Sequence, residues 1–157
     1  MLRPERLVRL FRSTGASGRF VKPVSELPSD QQDVLNAYIG TPRVNEYPVI
    51  ACYRNTDNWT LLTTRRIAWC RGGEARELPI QSVCEATLPD DIMHSLTPSS
   101  KSHNDLLQLV VSDGSTYLVQ LESGRPFAGF WNVMKLLIAI DWQKESPEEI
   151  IPKPSSQ

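Results

Sequence analysis

The sequence predicts a mainly β domain of the α+β class, with about seven short antiparallel strands followed by one C-terminal α-helix. From residue 48 onward, apolar runs of five to seven residues alternate with turn residues. Over residues 125–142 the apolar spacing changes to three and four, as in a helix. The chain has 157 residues, of which 40% are hydrophobic and 22% charged. That composition is typical of one globular domain with a substantial core.

The first predicted element is a short amphipathic helix within residues 2–12. Leu7, Leu10 and Phe11 recur at helical spacing opposite arginines, and Pro4 suits the first helical turn. The next residues, "STGASGRF", are small, so we expect residues 1–28 to form a basic arm tethered to the body. The arm's candidate partner-binding residues are Arg3, Arg6, Arg9 and Arg12.

A second helix is predicted over "SDQQDVLNAYIG", residues 29–40. Ser29 and Gln32 have the spacing of a capping box, in which each side chain bonds the other residue's backbone. Gly40 supplies the residue that ends the helix.

The strands are predicted next, in a series separated by polar turns. Their ranges are 49–54, 59–64, 66–70, 76–80, 82–88, 105–111 and 115–121, where 76–80 and 82–88 form either one bent strand or two. Asp113 and Gly114 predict a tight hairpin between the last two. The run 105–111 is almost wholly apolar, so we expect a strand covered on both faces.

The C-terminal helix has one broad apolar face. Phe127, Trp131, Met134, Ile138 and Trp142 are spaced by three and four residues. The predicted division of the chain is therefore a basic arm at 1–28, a domain at 29–143 and a Pro/Ser-rich tail at 144–157.

The segment "WTLLTTRRI" (59–67), a glycine turn and "RELPIQSV" (76–83) resemble a signature of bacterial pleckstrin-homology-like (PH-like) and GRAM-like domains. The resemblance covers about residues 46–142. It implies a partly open antiparallel barrel, made of two nearly orthogonal sheets and capped at one end by the C-terminal helix. One or two N-terminal helices would be additions to that fold.

Phosphoinositide binding does not follow from the resemblance. Lipid-binding members resemble one another in a basic first hairpin. Here Arg54 ends the first strand, but the loop "NTDN" and the strand "WTLLTT" contain no basic residue. PH-like barrels also present a sheet edge or the groove beside the C-terminal helix to proteins. We therefore expect a non-enzymatic domain that binds a protein partner.

The charge distribution adds several alternatives. Residues 1–22 carry six basic residues against one acidic, whereas the whole chain has a net charge of −1. The acidic body suits an inhibitor or immunity protein that neutralises a cationic toxin. The arm suits a peripheral membrane module that binds anionic lipid, an acidic groove on a partner, or an organellar transit peptide; it also suits docking on its own domain. Nucleic acid binding is not expected, because no strand interleaves aromatic and basic residues.

Catalytic, cofactor and metal sites are not expected. His94 and His103, with Asp90, Asp91 and Asp105 nearby, lack metal-ligand spacing. Nucleotide-binding and nucleophile motifs do not occur.

The three cysteines, Cys52, Cys70 and Cys84, lie in apolar runs without paired spacing. We expect them to be free, small hydrophobic residues in a cytoplasmic protein.

The adjacent arginines Arg65 and Arg66 lie at a strand junction within the PH-like signature. Because successive side chains of a strand point to opposite faces, they do not form a bidentate pair. We interpret both as features of the fold, one of them paired with a nearby carboxylate.

Overall fold

The computed structural model describes residues 3–90 and 103–150, with side chains described as far as residue 140. Within these residues the chain forms three α-helices and eight strands. The helices are α1 (Pro4–Thr14), α2 (Ser29–Ile39) and α3 (Arg125–Ile150). The strands are β1 (Val21–Pro23), β2 (Pro48–Asn55), β3 (Asn58–Thr63), β4 (Arg66–Arg71), β5 (Glu74–Pro79), β6 (Val83–Thr87), β7 (Leu106–Val111) and β8 (Thr116–Gln120).

The strands form two antiparallel sheets rather than one barrel. One sheet has the order β1-β2-β3-β4-β5 and the other β6-β7-β8, and no strand ladder joins them in the described part of the chain. The sequence-predicted strands are thus confirmed, with 76–80 and 82–88 separated into different sheets. Strand β1 was not predicted.

The main core lies between the two sheets, α1 and α3. Its largest fully buried side chains include Phe130, Leu62, Ile67, Leu107 and Leu109. Alternate residues of the five-stranded sheet face the other way, where Leu61 and Ala68 pack against Leu35 and Ile39 of α2. This sheet is therefore covered on both faces, which explains its nearly continuous apolar strands.

Helix α1 is part of the main core and not only tethered to it. Leu7 and Phe11 are both 0% exposed. The helix meets α3 so closely that a Cβ atom added to Gly129 would stand 2.7 Å from the Phe11 ring. Of the alternatives for the arm, docking on its own domain is confirmed for this helix, because its apolar stripe packs within the same chain. The division of the chain at residues 28 and 143 stays a prediction.

Three local predictions differ from the structure. Helix α2 begins after Pro28 without a side-chain cap, and the Gln32 amide donates instead to the Leu27 carbonyl. Strand β7 alternates between buried and half-buried residues, so it is covered fully on one face only. Helix α3 continues to Ile150, past the predicted end of the domain. The left-handed Gly40 ends α2 as expected, at φ 64°.

Within the described residues, none of the helices combines the length and apolar composition that crossing a bilayer requires.

Candidate functional site

The two adjacent arginines have different environments. Arg65 is exposed, whereas Arg66, the first residue of β4, is only 7% exposed. Its Nε donates to Glu46 Oε2 at 2.6 Å and its Nη1 to Glu77 Oε1 at 2.9 Å. Its Nη2 also donates to the Ile39 carbonyl, at the last turn of α2, at 3.3 Å. The prediction that one arginine pairs with a carboxylate is confirmed, and Arg66 connects α2, the loop after it, and β5.

The carboxylate of Glu46 is held in its charged form. Burial by itself raises its pKa, but hydrogen bonds from Arg66, the Arg43 backbone and the Thr63 hydroxyl outweigh burial and lower the pKa below the ordinary value. The Glu77 pKa is lowered in the same way, by Tyr38, Arg43 and Arg66 acting against burial. Together these groups form an ion-pair network whose charges are largely neutralised within the protein.

This network predicts a loss of stability in acid. The pKa values of Glu46 and Glu77 lie below their ordinary value of 4.5 in the folded protein. The unfolded chain therefore takes up protons first as the pH falls, and the stabilisation is lost below pH 4.5 toward the lowered values. We expect the free energy of unfolding in urea to fall between about pH 6 and about pH 3, and to fall less steeply in Glu46→Gln. The exposed control Glu74→Gln should keep the wild-type slope; a wild-type slope in Glu46→Gln would contradict the assignment.

Arg54, the one residue that matches the lipid-binding pattern, is engaged inside the protein. Its Nη2 donates to the Leu121 carbonyl at 2.6 Å, and its guanidinium lies 4.3 Å from the centre of the Phe20 ring. The neighbouring Glu122 carboxylate accepts hydrogen bonds from the backbone N–H groups of Arg19, Phe20 and Val21, at 2.9 to 3.0 Å. These contacts place the Phe20 ring over the Arg54 guanidinium and fix residues 19–21 beside it.

The predicted partner-binding arginines are all exposed: Arg6, Arg9 and Arg12 on α1, and Arg3 immediately before it. Arg12 is ion-paired with Glu26. Since Leu7 and Phe11 face the core, α1 presents to solvent its charged side but not the apolar anchors that a membrane-inserting helix needs.

His94 and Asp91 lie outside the described residues. Within the described residues, no group of three His, Cys, Asp or Glu side chains is placed to hold a metal ion. Cys52 and Cys70 are free and buried, and burial raises the pKa of Cys52 to about 12. Cys84 is free, as expected, but it is exposed and does not pack in the core.

A mostly apolar concave surface lies between β6 and α3 and is here called the β6–α3 groove. It encloses about 650 Å³, a volume typical of ligand sites. Its lining consists of Cys84, Glu85, Ala86 and Thr87 from β6, and Trp131, Lys135, Ile138 and Ala139 from α3. The Lys135 ammonium lies 4.5 Å from the centre of the Trp131 ring, so the groove has an aromatic wall with a charged rim.

Among the described strands, β6 pairs with β7 alone and forms one edge of the second sheet, and its other side lies beside this groove. Just beyond the paired strands, the Ser112 N–H donates a hydrogen bond to the Ser82 carbonyl. Counted back along β7 from Ser112, every second residue is hydrogen-bonded to β6. Leu109 and its partner Ala86 therefore form a non-bonded pair, whose Ala86 N–H and C=O point away from β7. The Ala86 carbonyl accepts a hydrogen bond from Trp131 Nε1 at 2.8 Å, which confirms this direction. The Ala86 N–H likewise points away from β7, on the side of β6 where Trp131 lies.

No protein-family model matches the chain, and no curated protein shows significant similarity to it.

Proposed function

We propose that this protein is a non-enzymatic, PH-like domain that binds a protein partner, and that an extended segment of the partner lies in the β6–α3 groove. The topology supports the PH-like assignment. Without β1, the strands form a meander of four followed by a meander of three, and α3 packs against the second sheet. The engagement of Arg54 argues against a phosphoinositide site.

The single observation that carries the proposal is that an edge of the second sheet, left unpaired by the described strands, lies beside an apolar groove. An added strand gains main-chain hydrogen bonds from such an edge, and alternate side chains of that strand fill the adjacent groove. Here the Ala86 N–H supplies a main-chain donor, while Trp131 and Ile138 supply the apolar wall. We expect a partner segment with apolar residues at every second position.

The charge of the body favours one class of partner. Residues 23–157 carry eleven basic and seventeen acidic side chains, so the body attracts cationic proteins. Inhibition of a cationic toxin, as by an immunity protein, fits this charge.

The rival function is that of a peripheral membrane module that uses Arg3, Arg6, Arg9 and Arg12. Salt-dependent binding to phosphatidylserine vesicles that is lost when the exposed residues Arg6 and Arg9 are both changed to Glu would favour the rival.

Selection of peptides from a random display library tests the groove. We expect wild-type protein to enrich peptides with alternating apolar residues. Ala139→Arg should bind them at least about tenfold more weakly, because the new side chain fills the groove while Arg is well tolerated in a helix. Ala75→Arg places the same side chain on the exposed edge strand β5 and is the matched control. Recovery of no peptide family, or of peptides that bind Ala139→Arg as tightly as wild type, would contradict the proposal.

A further inference from the structure

The loop between α2 and β2 carries an exposed apolar tip. Val44 is 82% exposed and Tyr47 is 42% exposed. Only one other large hydrophobic side chain of the described residues, Leu118, is comparably exposed. A single exposed apolar residue is ordinary, but two within four residues of one loop form a patch.

The same loop is fixed from beneath. Between the two exposed residues, the Glu46 carboxylate is buried against Arg66, and Asn45 adopts a left-handed conformation at φ 60°. The Thr64 hydroxyl donates to the Asn45 carbonyl at 2.8 Å and accepts from the Tyr47 N–H at 3.0 Å. The loop is thus held in one arrangement, and a preorganised surface loses little conformational entropy on binding.

Beside this tip, two guanidinium groups line one small pocket. Arg43, Arg65, Pro79 and Gln81 enclose about 220 Å³. Arg43 donates to Glu77 at 2.9 Å, whereas Arg65 has no ion pair within the described residues. In this region, Arg43 and Arg66 are paired with the carboxylates of Glu77 and Glu46, whereas the positive charge of Arg65 is not balanced by a carboxylate among the described residues. This unbalanced charge lies on the solvent side.

We propose that this surface, the 43–47/Arg65 surface, is a second docking site, and that it binds an acidic segment of a protein. A partner carboxylate occupies the pocket between Arg43 and Arg65, where guanidinium groups offer paired N–H donors. Apolar groups next to that carboxylate pack on Val44 and Tyr47. The proposal concerns a different surface from the β6–α3 groove and holds whether or not that groove binds a peptide.

The test uses synthetic peptides in which Asp or Glu alternates with Leu or Phe, and matched peptides with Asn or Gln in place of the acids. Binding is followed by fluorescence anisotropy at physiological salt. We expect the acidic peptides to bind at least about tenfold more tightly than the amide peptides, because the amides cannot form charge-assisted bonds. Arg65→Glu should weaken binding of the acidic peptides by about tenfold or more.

Two control variants make the result specific. Arg76→Glu introduces the same charge change at a different exposed residue, which lies on β5. It should weaken binding of the acidic peptides far less than Arg65→Glu does. Ala139→Arg, which fills the β6–α3 groove, should leave binding of the acidic peptides unchanged.

Three outcomes would overturn the proposal. The first is no binding of the acidic peptides, and the second is equal binding of the amide peptides. The third is an equal loss in Arg65→Glu and Arg76→Glu, which would show attraction to overall charge. Phosphatidylserine vesicles are a further probe: vesicle binding that depends on Arg65, without peptide binding, would identify a lipid surface instead.

Discussion

Arg66→Met is expected to lower the free energy of unfolding by roughly 3–5 kcal/mol, the usual cost of removing one partner from a buried ion pair. Without the guanidinium, the Glu46 carboxylate stays buried with only the Thr63 hydroxyl and the Arg43 N–H as donors. The Ile39 carbonyl at the end of α2 loses a donor as well. Urea denaturation at neutral pH measures the effect.

The neighbouring arginine is the matched control for this variant. Arg65→Met changes the same residue type one position away, but Arg65 is exposed, so we expect a change within about 0.5 kcal/mol. Glu46→Leu combined with Arg66→Met should recover part of the loss, since it leaves no unpaired buried charge at that pair. If Arg66→Met lowers the free energy of unfolding no more than Arg65→Met does, the buried network does not stabilise the fold.

Phe11→Ala is expected to cost about 3–5 kcal/mol of the free energy of unfolding, as for other fully buried aromatic side chains. The Phe11 ring is 0% exposed and lies against Gly129 of α3. If α1 were only a tethered arm, the same substitution would change stability little. Arg9→Ala, on the exposed side of the same helix, is the control and should have an effect within about 0.5 kcal/mol.

A double-mutant cycle with Gly129→Ala sharpens this second prediction. A Cβ at position 129 would stand 2.7 Å from Phe11 Cδ1, so Gly129→Ala alone should be destabilising by about 1–3 kcal/mol. In the Phe11→Ala background the ring contacts are gone and the Phe11 carbonyl oxygen, 3.0 Å away, is the close contact that remains, so Gly129→Ala should cost clearly less there. Simple additivity of the two substitutions would contradict close packing of α1 on α3.

Much of the fold could be predicted, because each strand from β2 to β8 carries its own pattern and turn residues. The Asp113-Gly114 turn and the glycines after β4 are local, and local chemistry is readable from the sequence. Strand β1 could not be predicted, since Val21–Pro23 is too short to show a period. It is ordered by pairing with β2 and by the Glu122 carboxylate, about a hundred residues away in sequence.

The candidate sites depend on contacts that no local pattern reveals. Trp131 bonds the Ala86 carbonyl across 45 residues, and Glu46 meets Arg66 across 20. Helical spacing places Trp131 and Ile138 on one apolar stripe, but it does not indicate which part of that stripe stays half-exposed beside an open strand edge. That the side chains of Arg65 and Arg66 point to opposite faces could be predicted from strand geometry. The loop that buries Glu46 against Arg66 could not.

The most direct measurement of groove binding is residue-resolved amide hydrogen exchange of β6, with and without a peptide recovered by the wild-type protein. If the peptide adds as a strand beside β6, exchange of the Ala86 amide should slow by about tenfold or more, because that N–H becomes a main-chain donor. Amides of the other edge strand, β8, should not change. Unchanged exchange at Ala86, or protection confined to β8, would contradict binding in the β6–α3 groove.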